Sequence, residues 1–464
     1  MLGPSGSGVV FQLISLFTIA GAVAKLGLDT AAVWLLPRLS DDARGEVRRA
    51  AAILLIGGLL GGILAGTVLL AISPLLEDAP HELARLVRIA AAFMPCSSLL
   101  AVALAITRGL GGVRDFVLIG SIGLPAGRLA AVSVAMAFMA TAFTASITWL
   151  AALVVATLLA LLAAERALRP FRARPRAGVT PTPLLRRIAA FSGPRTVSSS
   201  IEQALLWLDV LIVGVLAGAA AAGVYGIVAR LVQAGTIPST SMRIVVAPQF
   251  SRMLHEERRV ELSEFYTRTT QWIIVFSMPA YVLLAIMAEP ILTIFGNGFA
   301  AGSTALVIMC AGAAVSASAG NVQSLLLMSG RSGWAATNKV IVLSVSVTLL
   351  LLLIPRIGIA GAAIATSAAI GLDAVLAAAQ VRFAVRVHLG YGSVLLAVVT
   401  SGMAALIPAV VARLLLGDGI TALIVGCGGA VVLWVAVMYL MRRHFALQEM
   451  STILRRRRPP AFSR

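Results

Sequence analysis

Apolar and polar positions divide the chain into thirteen apolar runs, at 9–37, 50–73, 84–107, 116–138, 143–164, 186–216, 223–248, 268–288, 302–329, 334–354, 359–381, 393–415 and 419–441. As an α-helix, each run is long enough to cross a hydrocarbon core of about 30 Å. A segment in lipid must satisfy its backbone hydrogen bonds internally, so helices are the form these runs take. The expected fold is all-α and polytopic, with about 13 spans and loops too short for an extramembrane domain. Composition agrees: 59% of the residues are hydrophobic and 12% charged, which no soluble globular domain matches.

Charge then orients the spans. Of the 37 Lys and Arg, 28 fall in alternate loops and in the tail after 441, while the intervening loops hold Arg85, Arg88, Arg356 and Arg413. By the positive-inside rule the rich set is cytoplasmic, and so is the C-terminus. The net charge of +18 is spread over short loops and does not point to nucleic acid. Thirteen spans with the C-terminus inside put Met1 outside, directly before a span and with no basic flank. A fourteenth helix before Met1 is therefore expected.

The Arg/Pro-rich stretch 165–187 reads as a cytoplasmic linker. It divides the chain into an N-terminal helical bundle (1–164, lacking its first helix), a C-terminal bundle (188–388), two extra spans (389–441) and a basic tail (442–464). The halves resemble each other. Leu2 to Ser40 has a turn at Gly8-Val9-Val10-Phe11 and a span ending in Pro37-Arg38-Leu39-Ser40. Leu216 to Ser251 has a turn at Gly223-Val224-Tyr225-Gly226 and a span ending in Pro248-Gln249-Phe250-Ser251. Two pseudo-symmetric bundles with a substrate site between them are a transporter architecture.

Several residues also carry a family resemblance. Leu2-Gly3-Pro4, Gly8 and Gly27-Leu28-Asp29-Thr30-Ala31, then Asp209, Gly214, Gly223, Tyr225 and Pro248, resemble bacterial polysaccharide flippases of the multidrug, oligosaccharidyl-lipid and polysaccharide (MOP) exporter superfamily. That resemblance implies a MATE-like, V-shaped pair of bundles, alternating access, and a polyprenyl-pyrophosphate-linked oligosaccharide as cargo. In the family a first helix precedes the Leu-Gly-Pro turn. A polysaccharide polymerase or assembly proteins are further partners of such a flippase.

Charges inside the spans are the candidate chemistry, since each costs about 2.5–3.5 kcal/mol at mid-membrane. Arg195, Glu202 and Asp209 are spaced seven and seven, on one helical face. Lys25, Arg128, Arg195 and Arg230 are the candidates for an anionic headgroup, because guanidinium and ammonium groups bind phosphate oxygens. Asp29, Glu202, Asp209 and Asp373 are the candidates for ion or proton coupling. Internal pairing is the plainer alternative: Lys25 with Asp29, Arg195 with Glu202, Arg230 with Asp209. Asn321 and Gln323 can meet sugar hydroxyls or simply join helices. The glycines 57, 58, 61, 62 and 66 form small-residue ridges for close helix packing. Arg455 to Arg458 are expected to rest on anionic cytoplasmic lipid.

No cofactor, metal site or catalytic residue is expected. Gly-Lys never occurs, so a Walker-type phosphate loop is excluded, and there is no His-Glu-x-x-His. The four histidines make no cluster, and Cys96, Cys310 and Cys427 lie in separate runs. The leading expectation is a non-enzymatic flippase of the cell membrane. The alternatives are an ion-coupled drug or metabolite antiporter of the same superfamily, a membrane glycosyltransferase with Glu77-Asp78 in an outer loop, and a scaffold for a synthesis complex. Deep basic groups that match the acidic ones in number favour an anionic cargo over a cationic drug.

Overall fold

The computed structural model describes residues 2–42, 44–76, 81–171, 182–442 and 444–445. The expectations for Glu77-Asp78, for the middle of the linker and for Arg455 to Arg458 fall outside the described residues. Among those described there are helices and no strands. Among the described residues, eleven helices are long and apolar enough to cross a membrane. Two of these are double. Leu184–Ala234 is broken at Gly218 (φ 87°), and Ser332–Val385 at Ile357 and Gly358 (φ 59°). Both breaks match gaps between apolar runs. The protein is a multi-pass membrane protein.

The chain forms two compact units, Met1–Gly223 and Val224–Arg464. The first holds α1 (Pro4–Ala24), α2 (Leu28–Asp42), α3 (Arg44–Ile72) and α4 (His81–Gly109). It continues through one turn, α5 (Val113–Asp115), and a π-helical stretch, Phe116–Gly123, into α6 (Leu124–Phe138). Next come α7 (Ala142–Leu168) and α8 (Thr182–Ala234), which runs on into the second unit. The second unit contains α9 (Ile237–His255), α10 (Arg259–Ile286), α11 (Ala288–Thr293), α12 (Ser303–Ser318), α13 (Val322–Met328), α14 (Ser332–Gln380), α15 (Tyr391–Leu416) and α16 (Ile420–Leu440).

Close packing in the first unit rests on small residues, because lipid supplies no hydrophobic force between helices. A Cβ on Gly62 of α3 would stand 2.5 Å from Pro95 Cα of α4, and one on Gly66 would stand 2.6 Å from the Ala91 carbonyl. A Cβ on Gly61 would collide with the Ala24 carbonyl of α1. The other face of α3 presents Leu60 and Leu64, about 60% exposed, as a lipid-facing surface would.

Four apolar runs differ from the single helices that their length suggests. Run 9–37 is α1 and α2, parted by left-handed Leu26 and Gly27. Run 302–329 becomes α12 and α13, parted at Gly320 (φ 60°), and run 223–248 is interrupted at Gly235 and Thr236, before Pro238 opens α9. Run 116–138 begins as π-helix. Hydropathy is blind to backbone handedness, so such breaks leave no mark on it. The breaks extend the repeat between the halves. Helix, break and second helix with an inner proline (Pro37 in α2, Pro248 in α9) recur in both units.

Candidate functional site

The break between α1 and α2 places the first charged pair. Gly27 sits at φ 64°, and a Cβ there would stand 2.6 Å from the Ser192 carbonyl of α8, so the position demands glycine. Lys25 caps the end of α1, and Asp29 lies in the first turn of α2, where the helix dipole favours an anion. Lys25 Nζ meets Asp29 Oδ2 at 2.9 Å. Asp29 Oδ1 accepts from the Thr30 N–H at 2.8 Å and from its hydroxyl at 3.2 Å. Asp29 is thereby fully engaged within its own turn, and Lys25 keeps free donors.

Those donors border a cavity of about 390 Å³ inside the first unit. Its wall includes Lys25 and Arg128 and the neutral groups Thr18, Ser97, Ser121 and Gln203, with no Asp or Glu among the lining residues. Arg128 reaches it from α6. Its guanidinium carbon lies 3.6 Å from the centroid of the Trp149 ring on α7. Phe17 of α1 meets that ring edge-on, with centroids 5.6 Å apart. The Arg128 Nε is buried without a hydrogen-bond partner. Here an aromatic face, not a carboxylate, offsets the burial of the cation. The cavity can therefore do one thing readily: hold an anion between an ammonium and a guanidinium.

The other predicted residues are placed as follows. Arg195 and Glu202 share a stripe of α8, with Arg195 Nη1 3.9 Å from Glu202 Oε1, and both are roughly half exposed. Asp209 on the same stripe is 7% exposed, and its Oδ1 accepts from the Val210 N–H at 2.8 Å. In the second unit Arg230 donates to Gln233 Oε1 at 2.7 Å. Asp373 pairs with Lys339 at 2.6 Å, both on α14. Lys339 lies near the start of α14. Gln323 donates to the Asp373 carbonyl and Asn321 accepts from Ser239, so both join helices.

The structure thus brings Lys25 and Arg128 together and leaves Arg195, Arg230, Asp29, Glu202, Asp209 and Asp373 off the wall of this cavity. Trp149 and Gln203 belong to the site but carry no charge to flag them. A second aromatic feature also lacks a sequence signal. Trp34 of α2 stacks on Phe191 of α8 (4.5 Å, 9° between planes), and Arg38 and Arg187 lie 4.6 and 5.2 Å from its ring centroid.

The described residues thus form a multi-pass helical fold with a cationic cavity that no Asp or Glu lines. A family model described as polysaccharide biosynthesis protein matches residues 1–301, and the chain belongs to that family. The probable low-salt glycan biosynthesis flippase Agl15 of Haloferax volcanii is 25% identical over 217 residues, which is 45% of this chain. The match spans 44% of that relative's length, less than half. Among solved structures, lipid II flippase MurJ in an inward closed conformation aligns over 96% of this chain and 97% of its own, with TM-score 0.72 and 13% identity. An inward-facing multidrug resistance MATE family transporter of the MOP superfamily aligns over 81% and 89%, with TM-score 0.63 and 14% identity. The chain shares the fold of these two structures.

Proposed function

We propose that the protein moves a polyprenyl-pyrophosphate-linked oligosaccharide across the cytoplasmic membrane by alternating access, without a chemical step, with its C-terminus in the cytoplasm. The carrying observation is the cavity lined by Lys25 and Arg128 and by no acidic side chain. A pyrophosphate diester carries about two negative charges, which the two cations match. The cavity's size suits a charged headgroup, with the glycan and the polyprenyl chain outside it. Membership of a polysaccharide biosynthesis family and the glycan flippase relative support this cargo class. A cationic drug would find no counter-charge on this wall, which weighs against the antiporter reading.

In this reading Arg128 contributes a stacked, oriented fork, and Lys25 exchanges its Asp29 partner for a phosphate oxygen. Arg195 and Arg230 remain candidates for handing the headgroup on. Asp29, Glu202, Asp209 and Asp373 are the coupling candidates, with Lys25 beside Asp29, Arg195 beside Glu202 and Lys339 beside Asp373. The test is reconstitution into liposomes with a labelled lipid-linked oligosaccharide on one leaflet, followed with a membrane-impermeant reagent. Translocation abolished by Arg128→Gln in a folded protein supports the reading. Translocation of small cations under an imposed ion gradient, with none of the lipid-linked sugar, would sink it.

A further inference from the structure

The second unit holds a separate cavity of about 240 Å³ where α14 gives way to α15. The chain leaves α14 through a π-helical turn, Val381–Val385, and Arg386 is left-handed at φ 58°. The segment that follows is tied to α10. Ser263 Oγ accepts from the His388 N–H at 3.2 Å, and Thr267 Oγ1 accepts from the Gly390 N–H at 3.0 Å. These bonds fix the backbone that presents Arg382, His388 and Tyr391 to the cavity. Tyr266 also lines it, but its hydroxyl is committed to the Ala319 carbonyl at 2.6 Å.

The charge here is unopposed. Arg382 donates to the Tyr391 hydroxyl at 3.4 Å and meets no carboxylate among the described residues. No Asp or Glu lines the cavity. A guanidinium has five N–H donors, so four remain for a ligand. Tyr391, which lines the cavity, is 64% exposed, as an aromatic residue at a bilayer interface is. Along α15 from Tyr391, Leu395 and Val399 continue the exposed stripe at four-residue spacing. A cationic recess beside an exposed tyrosine, with an apolar track leading away, has the layout of a lipid molecule: phosphate, interface, acyl chain.

We infer that this cavity seats the phosphate headgroup of an anionic phospholipid, with an acyl chain along Leu395 and Val399. It is distinct from the first-unit cavity. The test is native mass spectrometry of the full-length protein with phosphatidylglycerol, with phosphatidylcholine of the same acyl chains, and with inorganic phosphate. Wild type is expected to retain phosphatidylglycerol in preference to phosphatidylcholine. Loss of a charge-assisted contact in Arg382→Gln lowers that retention about tenfold or more. Arg356→Gln, at an exposed arginine elsewhere on α14, leaves it unchanged. Arg382 and His388 are both exposed, so neither substitution disturbs a core. If Arg382→Gln unfolds, His388→Gln carries the same test with a smaller loss. Wild-type retention in the folded variants overturns the inference, and so does equal retention of the two lipids. Inorganic phosphate binding as tightly as the lipid overturns the lipid as its source.

Discussion

Arg128→Gln separates transport from folding more cleanly than any other change. The guanidinium lies 3.6 Å from the Trp149 centroid, in a cavity without carboxylates. Its stacking is worth about 2 kcal/mol when desolvated. Holding an arginine inside a span costs about 2.5–3.5 kcal/mol. The two nearly cancel, so removing the charge leaves stability close to unchanged. A charge-assisted hydrogen bond to phosphate is worth about 1.5–3 kcal/mol, or roughly 10- to 150-fold in affinity. Translocation of a labelled polyprenyl-pyrophosphate glycan in proteoliposomes should fall by that factor, with the melting temperature within a few degrees of wild type. Arg128→Lys keeps the charge but loses the fork and the stacking, and should fall between. Wild-type translocation by Arg128→Gln would refute the headgroup assignment. A large drop in melting temperature would refute the cancellation.

Lys25→Ala strands the partly buried Asp29 and should lower stability by about 2 kcal/mol, most of it regained in the Lys25→Ala/Asp29→Ala double variant; chemical unfolding measures both. Gly62→Ala drives a methyl into the Pro95 backbone and should cost about 1–3 kcal/mol. Gly127→Ala, with nothing within 4 Å of its Cβ, should not lower the melting temperature. Glu256, outside the spans, accepts hydrogen bonds from Arg252 and Arg258, which hold its carboxyl below the usual glutamate range. A lowered folded pKa gives stability that is present above the unfolded value of about 4.5 and is lost as pH falls through the folded one. Hydrogen exchange across 252–262, corrected for intrinsic rate, should therefore accelerate at acid pH, and Glu256→Gln should abolish that response.

The spans were legible because run length and the bilayer's thickness constrain each other. The gaps at 217–222 and 355–358 were legible for the same reason, and the structure breaks both long helices there. The break at Leu26–Gly27 was not, because two left-handed residues leave hydropathy unchanged. That break decides how Lys25 and Asp29 meet: the pair joins the end of one helix to the start of another. The cavity wall was illegible for a different reason. Thr18, Ser97, Ser121 and Gln203 come from separate parts of the chain, and only packing selects them. Arg128 was visible as a deep charge, but its partner is an indole 21 positions away, and no spacing rule links them.

The stack of Arg128 on Trp149 also makes the first-unit cavity optically readable. The chain has six tryptophans, and Trp149 alone borders that cavity. With the other five replaced by phenylalanine, the emission of the remaining indole reports the cation above it. An anion that draws the guanidinium off the ring changes the field at the chromophore, and the fluorescence changes with it. Occupancy can then be titrated in unlabelled protein, in detergent or in vesicles, before any cargo has crossed a membrane.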